Sequence, residues 1–244
     1  MIKNYYFISD LHLGLESPER ERLKEKTLEN FLNSINGKCE KLFILGDLFD
    51  YWFEYKRVMQ KGYFRTFTAL QNLVDSGAEI HYLIGNHDFL HRNFFEKEIG
   101  CKVYEEELST EIEGKKFFLG HGDGLVANDT GYKILKKILR NKFTQKLYSL
   151  LHPDFGIWLA SSTSKTSRDY TTKKNYGEID GMFEAAKIRI DDGYDYVVFG
   201  HSHNLSFEEY KNGFYVNLGS WLDQPRIGKF SYNKFEIIDW KYND

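Results

Sequence analysis

Cysteine is nearly absent from this chain: two in 244 residues, Cys39 and Cys101, with no CxxC pair. That argues against a thiolate metal site and suits a reducing compartment. No apolar run approaches the roughly 20 residues needed to span a bilayer. MIKNYYFISDLHLG carries one early Lys and a short apolar run before charged residues resume, so a secretory leader is not expected. Net charge is small, -3, which offers no global attraction for nucleic acid. Internal repeats and low-complexity segments are also missing.

What is present is a sizeable core's worth of apolar residues, 41%, with 17 Tyr and 20 Phe. The length suits one domain, residues 1–244, with an insertion. Tyr5–Ser9, Lys41–Leu45 and the apolar part of EIHYLIGNHD read as short buried strands. Pro18–Ile35 reads as a helix with Pro18 in its first turn and Leu23, Leu28, Phe31, Leu32 and Ile35 at helical spacing. A second helix is expected near Phe64–Ser76. LSTEIEGKKFFLGHGD reads as a hairpin turning at Gly114, Asn128–Ser167 as helical, and the C-terminal part as short strands with turns at Asn212–Gly213 and Asn233. Alternating strands and helices predict an α/β fold.

Five stretches share one design: FISDLHLG, FILGDLFD, LIGNHDF, FFLGHGD and VVFGHSH. In each an apolar strand ends and polar, ligand-type residues begin at once. Sites in α/β sheets form at the carboxyl ends of strands. Asp10, His12, Asp47, Asn86, His87, His121, His201 and His203 are therefore expected at one edge, and they include five of the eight histidines. Carboxylate, amide oxygen and imidazole without thiolate suit Mn²⁺, Fe or Zn²⁺. Asp10 and His12, like His201 and His203, share a face if their strands stay regular. Glycines 46, 85, 120 and 200 precede the ligands, where the chain is expected to turn tightly.

The set D-x-H, G-D, G-N-H-D, G-H and G-H-x-H resembles the calcineurin-like metallophosphoesterases, over Asp10 to His203. The resemblance implies a sandwich of two mixed β-sheets flanked by helices, and a site for two divalent metal ions. On that pattern Asp10, His12, Asp47 and His203 hold one metal, Asp47, Asn86, His121 and His201 hold the other, and Asp47 bridges. His87 faces the substrate, and Asp88 is expected to accept a hydrogen bond from His87 and fix its tautomer. Two metals roughly 3.5–4 Å apart would activate water for in-line attack on phosphorus, so no Ser or Cys nucleophile is needed.

The region 125–175 reads as a helical lid inserted into the domain. Between Gly131 and Pro153 it carries Lys133, Lys136, Lys137, Arg140, Lys142 and Lys146 without an acid, interleaved with aliphatic residues and Phe143. Such a segment reads either as a surface for an anionic membrane or a partner, or as an ordinary helix with a solvated basic face. H-G-D-x-L-x-x-x-D-x-G-Y, the late G-S-W and the aromatic Phe49–Tyr55 resemble the UDP-2,3-diacylglucosamine diphosphatases of lipid A synthesis. That branch implies cleavage of a nucleotide-linked acylated sugar to UMP and 2,3-diacylglucosamine 1-phosphate, with Mn²⁺ as the usual metal. It further implies Asp129 and Tyr132 at the head group, with Arg168, Lys173 and Asn175 as further substrate contacts. The expected location is cytoplasmic, peripheral on the inner membrane's cytoplasmic face. The branch usually has Arg where this chain has His87. Arg offers phosphate a permanent bidentate fork, His a single donor, so a phosphodiesterase or nucleotide pyrophosphatase for soluble substrates stays open as the alternative.

Overall fold

The apolar segments, most with polar turns between them, pair into two mixed sheets packed face to face. A computed structural model describes residues 3–125, 137–138, 141–159 and 178–241. In one sheet β1 (Asn4–Ile8), β2 (Cys39–Leu45), β3 (Glu79–Leu83) and β4 (Lys102–Tyr104) run parallel. The C-terminal hairpin closes that sheet, giving the order β11-β10-β1-β2-β3-β4 with β10 (Arg226–Ser231) antiparallel to β1 and β11 (Lys234–Asp239) outermost. The other sheet takes β5 (Leu108–Ile112), β6 (Lys115–Leu119), β7 (Tyr196–Phe199), β8 (Leu205–Tyr210) and β9 (Gly213–Leu218), in the order β5-β6-β7-β9-β8. β6, β7 and β9 are parallel, and the outer two strands are antiparallel to their neighbours.

The core between the sheets is Phe7, Phe43, Leu45 and Leu83 against Phe117, Leu119, Val198, Val216 and Leu218. Phe7 stacks on Phe43 in its own sheet at 5.0 Å and on Phe117 across the layers at 5.9 Å. Burying each such side chain stabilises the fold by about 1.5–3 kcal/mol. α1 (Pro18–Ile35) and α2 (Phe64–Asp75) share the core on the outer side of the first sheet. Ser17 caps α1 by accepting from the Arg20 amide, and Leu28, Phe31, Leu32 and Ile35 form its buried stripe. α3 (Lys142–Tyr148) lies in the insertion, and α4 (Glu178–Asp191) places Met182, Ala186 and Ile190 against Val197, Phe199 and Tyr215 of the second sheet. The sandwich read from the sequence is what forms.

Three local expectations shift. The β8–β9 turn is Lys211–Asn212, with Lys211 at φ +50°, and Gly213 already belongs to β9. α4 has no counterpart in the sequence reading, because its apolar stripe is weak. In the region read as helical, α3 and residues 153–159 are helical among the described residues, with a turn at 149–152 between them.

Candidate metal centre

The five strand ends do converge. β1, β2, β3, β6 and β7 stop at Ile8, Leu45, Leu83, Leu119 and Phe199, and the ligand-type residues follow two to four positions later. Asn86 Oδ1 lies 2.8 Å from His121 Nε2 and 2.9 Å from His201 Nδ1. His121 Nε2 is 3.3 Å from Asp47 Oδ2. On the other side His12 Nε2 faces His203 Nε2 at 3.0 Å, Asp47 Oδ2 at 3.8 Å and Asp10 Oδ1 at 3.9 Å. His203 Nε2 is 3.5 Å from the same Asp10 oxygen. Donor atoms group as Asp10–His12–His203, His12–Asp47–His87 and Asp10–Asp47–His121, each within 4.8 Å. Asp10, His12, Asp47 and His121 are buried, whereas the His203 side chain is 37% exposed and marks the open side.

Regular strand geometry does not deliver these residues, contrary to the expectation for D-x-H and H-x-H. Asp10, His12, Asp47, His201 and His203 all have left-handed backbone, φ +54°, +48°, +51°, +67° and +58°. Each costs on the order of 1 kcal/mol for a residue with a Cβ. Main-chain bonds hold the strained turns: His12 N donates to Asp47 O at 3.0 Å, and Asp10 N to Gly46 O at 3.2 Å. Asp10 O accepts from the Ser220 hydroxyl and the Trp221 amide. The buried ammonium of Lys24 donates to His12 O at 3.1 Å while paired with Glu16 and Glu21. The glycines serve close approach more than turning. A Cβ on Gly85 would strike the Asp47 carboxylate, one on Gly200 that of Asp10, and one on Gly46 would sit 2.5 Å from His121 Nδ1.

Electrostatics mark the cluster as built for positive charge. Burial opposes ionisation of Asp47, yet His121, His87 and His12 around it hold its carboxyl well below the usual range. Burial also disfavours the His121 cation, but Asp47 and Asp10 outweigh it and push that imidazole up to about 10. His201 goes the other way, to about 4, through burial and the neighbouring His121 charge. A proton on His121 thus occupies the place that a cation would neutralise.

Asp88 does not hold His87. It is fully buried and accepts from the Leu48 amide at 2.9 Å, the Gly85 amide at 2.8 Å and the Tyr82 hydroxyl at 2.5 Å. Those bonds tie the β2 and β3 ends together, so its part is to position the two loops. His87 is oriented instead by Asp50, a residue that the sequence reading passed over, chiefly through its main-chain carbonyl. His87 Nδ1 lies 3.0 Å from Asp50 O and 3.5 Å from its Oδ1, and His12 Nδ1 lies 3.7 Å from the same Oδ1. The available signal was the second acid of G-D-L-F-D, three residues after Asp47. Lys24 and Asn217 were also missed. Asn217 Nδ2 donates to Gly200 O and Ser202 Oγ, bracing the G-H-S-H turn. Asp129, Tyr132, Arg168, Lys173 and Asn175 lie outside the described residues.

The residues fit divalent ions. Atoms that share a cation at about 2.1 Å stand about 3–3.5 Å from one another, which is how the imidazole and amide atoms are spaced here. The donor types, without thiolate, suit Mn²⁺, Fe or Zn²⁺. This chain belongs to the calcineurin-like phosphoesterases, whose family model matches residues 4–205; it is a metal-dependent hydrolase. More narrowly, it is 29% identical to a UDP-2,3-diacylglucosamine hydrolase of Porphyromonas gingivalis, over 98% of this chain and 95% of that one. Proteins of the same name from Haemophilus influenzae (28%; 96% and 100% covered) and Neisseria meningitidis serogroup B (30%; 90% of each) are similar as well. Among solved structures, an archaeal phosphodiesterase superposes with a TM-score of 0.50 at 17% identity, covering 97% of this chain and 99% of that one, a likeness of fold.

Proposed function

We propose that the chain hydrolyses the pyrophosphate bond of UDP-2,3-diacylglucosamine, adding water to give UMP and 2,3-diacylglucosamine 1-phosphate. Asp10, His12, Asp47 and His203 would hold one divalent ion, Asp47, Asn86, His121 and His201 the other, with Mn²⁺ as the metal. Bound there, two such ions lower the pKa of water and neutralise charge on the phosphoryl oxygens. The protein's own groups do the rest. Asp50 pins the Nδ1 side of His87 and leaves Nε2 for a phosphoryl oxygen. The Asp50 carboxylate also faces His12 Nδ1 at 3.7 Å, where its charge favours a proton on that nitrogen and leaves Nε2 for the ion.

The observation that carries the substrate is the lid. Phe143, Leu147, Leu150 and Trp158 are 76%, 59%, 77% and 62% exposed, beside Lys142 and Lys146. This apolar, basic face is anchored next to the metal centre: the Tyr51 hydroxyl, one residue after Asp50, donates to the Tyr148 hydroxyl at 3.1 Å, and Phe53 packs on the Tyr148 ring. A phosphoester site beneath such a face suits a substrate with two acyl chains, and contact with the cytoplasmic face of an anionic bilayer. Among the described residues no helix is long and apolar enough to cross a membrane.

The test is UMP release from UDP-2,3-diacylglucosamine with Mn²⁺, beside UDP-N-acetylglucosamine and bis-p-nitrophenyl phosphate. Turnover of the diacylated substrate at a rate well above the soluble ones is the expected result. Turnover of the soluble compounds alone would refute the lipid substrate, retain the metal centre, and favour the soluble-diester reading that His87 in the Arg position keeps open.

A further inference from the structure

A second basic and apolar surface lies outside the lid. Residues 56–65, KRVMQKGYFR, contain Lys56, Arg57, Lys61 and Arg65 and no acid. Tyr63 packs into the core, but three apolar side chains point outward: Phe64 is 79% exposed, Val58 50% and Met59 44%. An exposed aromatic at the first position of α2 has no packing role there. It needs another reason to be apolar.

The segment borders a groove of about 840 Å³ between α1 and the start of α2, whose rim carries Arg22, Lys26 and Lys61 and whose inner end reaches Leu13 and Gly14, just after His12. The acids along the groove are already engaged. Glu21 accepts from the Gly14 and Glu16 amides and pairs with Lys24, Glu25 accepts from the Thr66 amide, and Glu29 pairs with Arg65. Lys56, Arg57, Lys61, Arg22 and Lys26 form no ion pair among the described residues. The rim therefore presents net positive charge with an apolar crest. The same chain segment runs directly out of Tyr51–Tyr55, on which Tyr148 and Gly156 of the lid pack. This surface is thus joined through one short stretch of chain to the residues that anchor the lid.

We propose that residues 56–65, with Arg22 and Lys26, form a bilayer-docking surface: Phe64, Val58 and Met59 enter the headgroup region while the cations meet phosphate groups of anionic lipid. The inference rests on the membrane-linked substrate proposed above. A second anchoring surface whose groove reaches Leu13 and Gly14, next to His12, would help to hold the site at the bilayer, where a diacylated substrate resides. A single basic patch gives only weak binding, whereas two independent ones multiply their affinities.

The experiment is flotation of the full chain with phosphatidylglycerol and with phosphatidylcholine vesicles, at low and high salt. The variants are the triple Lys56→Gln/Arg57→Gln/Lys61→Gln, the single Phe64→Ser, and a lid variant Phe143→Ser/Leu147→Ser. Each cation near an anionic surface contributes about fivefold in affinity, so the triple variant should bind phosphatidylglycerol about a hundredfold more weakly. Phe64→Ser should weaken binding at both salt concentrations, and turnover of bis-p-nitrophenyl phosphate should stay at the wild-type rate in both. Unchanged binding of the triple variant, with loss only in the lid variant, would overturn this surface and leave the lid as the sole anchor. Release of wild-type protein from vesicles by millimolar inorganic phosphate, but not by equal ionic strength of chloride, would overturn it in favour of a free-phosphate site. UMP release from detergent-dispersed substrate keeps the enzymatic reading testable independently of every vesicle result.

Discussion

Replacing Gly85 by Ala adds one methyl group where the structure leaves no room. The new Cβ would lie 2.5 Å from the Asp47 amide nitrogen and 2.9 Å from its Cγ, and closer still to Oδ1. An ordinary contact is about 3.5 Å, so one side must retreat by about 1 Å. Neither yields easily. Gly85 N is bonded to Asp88, while Asp47 is buried at φ +51° with its Oδ1 bonded to the His87 amide at 2.9 Å. Overpacking of this kind costs about 1–3 kcal/mol, which lowers the melting temperature of a domain this size by about 5 °C. The effect on chemistry should be larger, because a 1 Å displacement of a positioned group lowers rate by about a hundredfold. Thermal melting, Mn²⁺ titration calorimetry and turnover of bis-p-nitrophenyl phosphate read the three consequences separately. Gly37→Ala is the control: at φ +69° with nothing within 4 Å, it should cost about 1 kcal/mol of stability and no activity. A Gly85→Ala protein with wild-type Mn²⁺ affinity and turnover would show that the Asp47 carboxylate is not where the structure puts it.

Asp47→Ala should abolish turnover and weaken Mn²⁺ binding while the circular dichroism spectrum persists, since it removes the carboxylate common to two of the donor groups; full activity would refute a two-metal centre. Asp50→Asn keeps the size and the main-chain carbonyl but removes the charge facing Nδ1 of His12 and His87; kcat should fall with KM for the soluble diester little changed, and an unaltered kcat would show that the carboxylate has no part and that the carbonyl alone orients His87. His91 packs among Tyr82, Phe95 and Trp52 with both ring nitrogens shielded and lacking a hydrogen-bond partner. Burial pushes it from 6.5 down to about 3, a contact with the Asp88 main chain opposing only weakly. Below pH 6.5 the unfolded chain therefore binds a proton that the folded protein refuses, and stability falls as pH drops toward 3. His91→Leu should recover about 3 kcal/mol at pH 4 relative to wild type and much less at pH 8, by urea unfolding; an equal effect at both pH values would show that the ring is not held neutral.

Most of the fold and of the metal centre was legible in the sequence because both depend on local patterns. Apolar runs four to seven residues long can only become buried strands, and polar residues placed at once after them can only sit at the strand ends. Parallel pairing then brings Asp10, Asp47 and Asn86 side by side, and His121 beside His201, whatever else the chain does. Tertiary structure decided the remainder. Which residue orients His87 depended on how two loops face each other: Asp88 is its chain neighbour yet turns inward to the Leu48 and Gly85 amides, while the Asp50 carbonyl reaches it from the loop after β2. The left-handed turns at Asp10, His12, Asp47, His201 and His203 fall on residue types that tolerate that conformation, but type alone does not say which Asp and His adopt it. Their strain is tolerated only because Lys24, Ser220 and the glycines close around them. The exposure of Phe64 near Arg57 and Lys61, which form no ion pair among the described residues, is equally invisible in sequence, since helical periodicity records which residues repeat and not which side the rest of the protein leaves open.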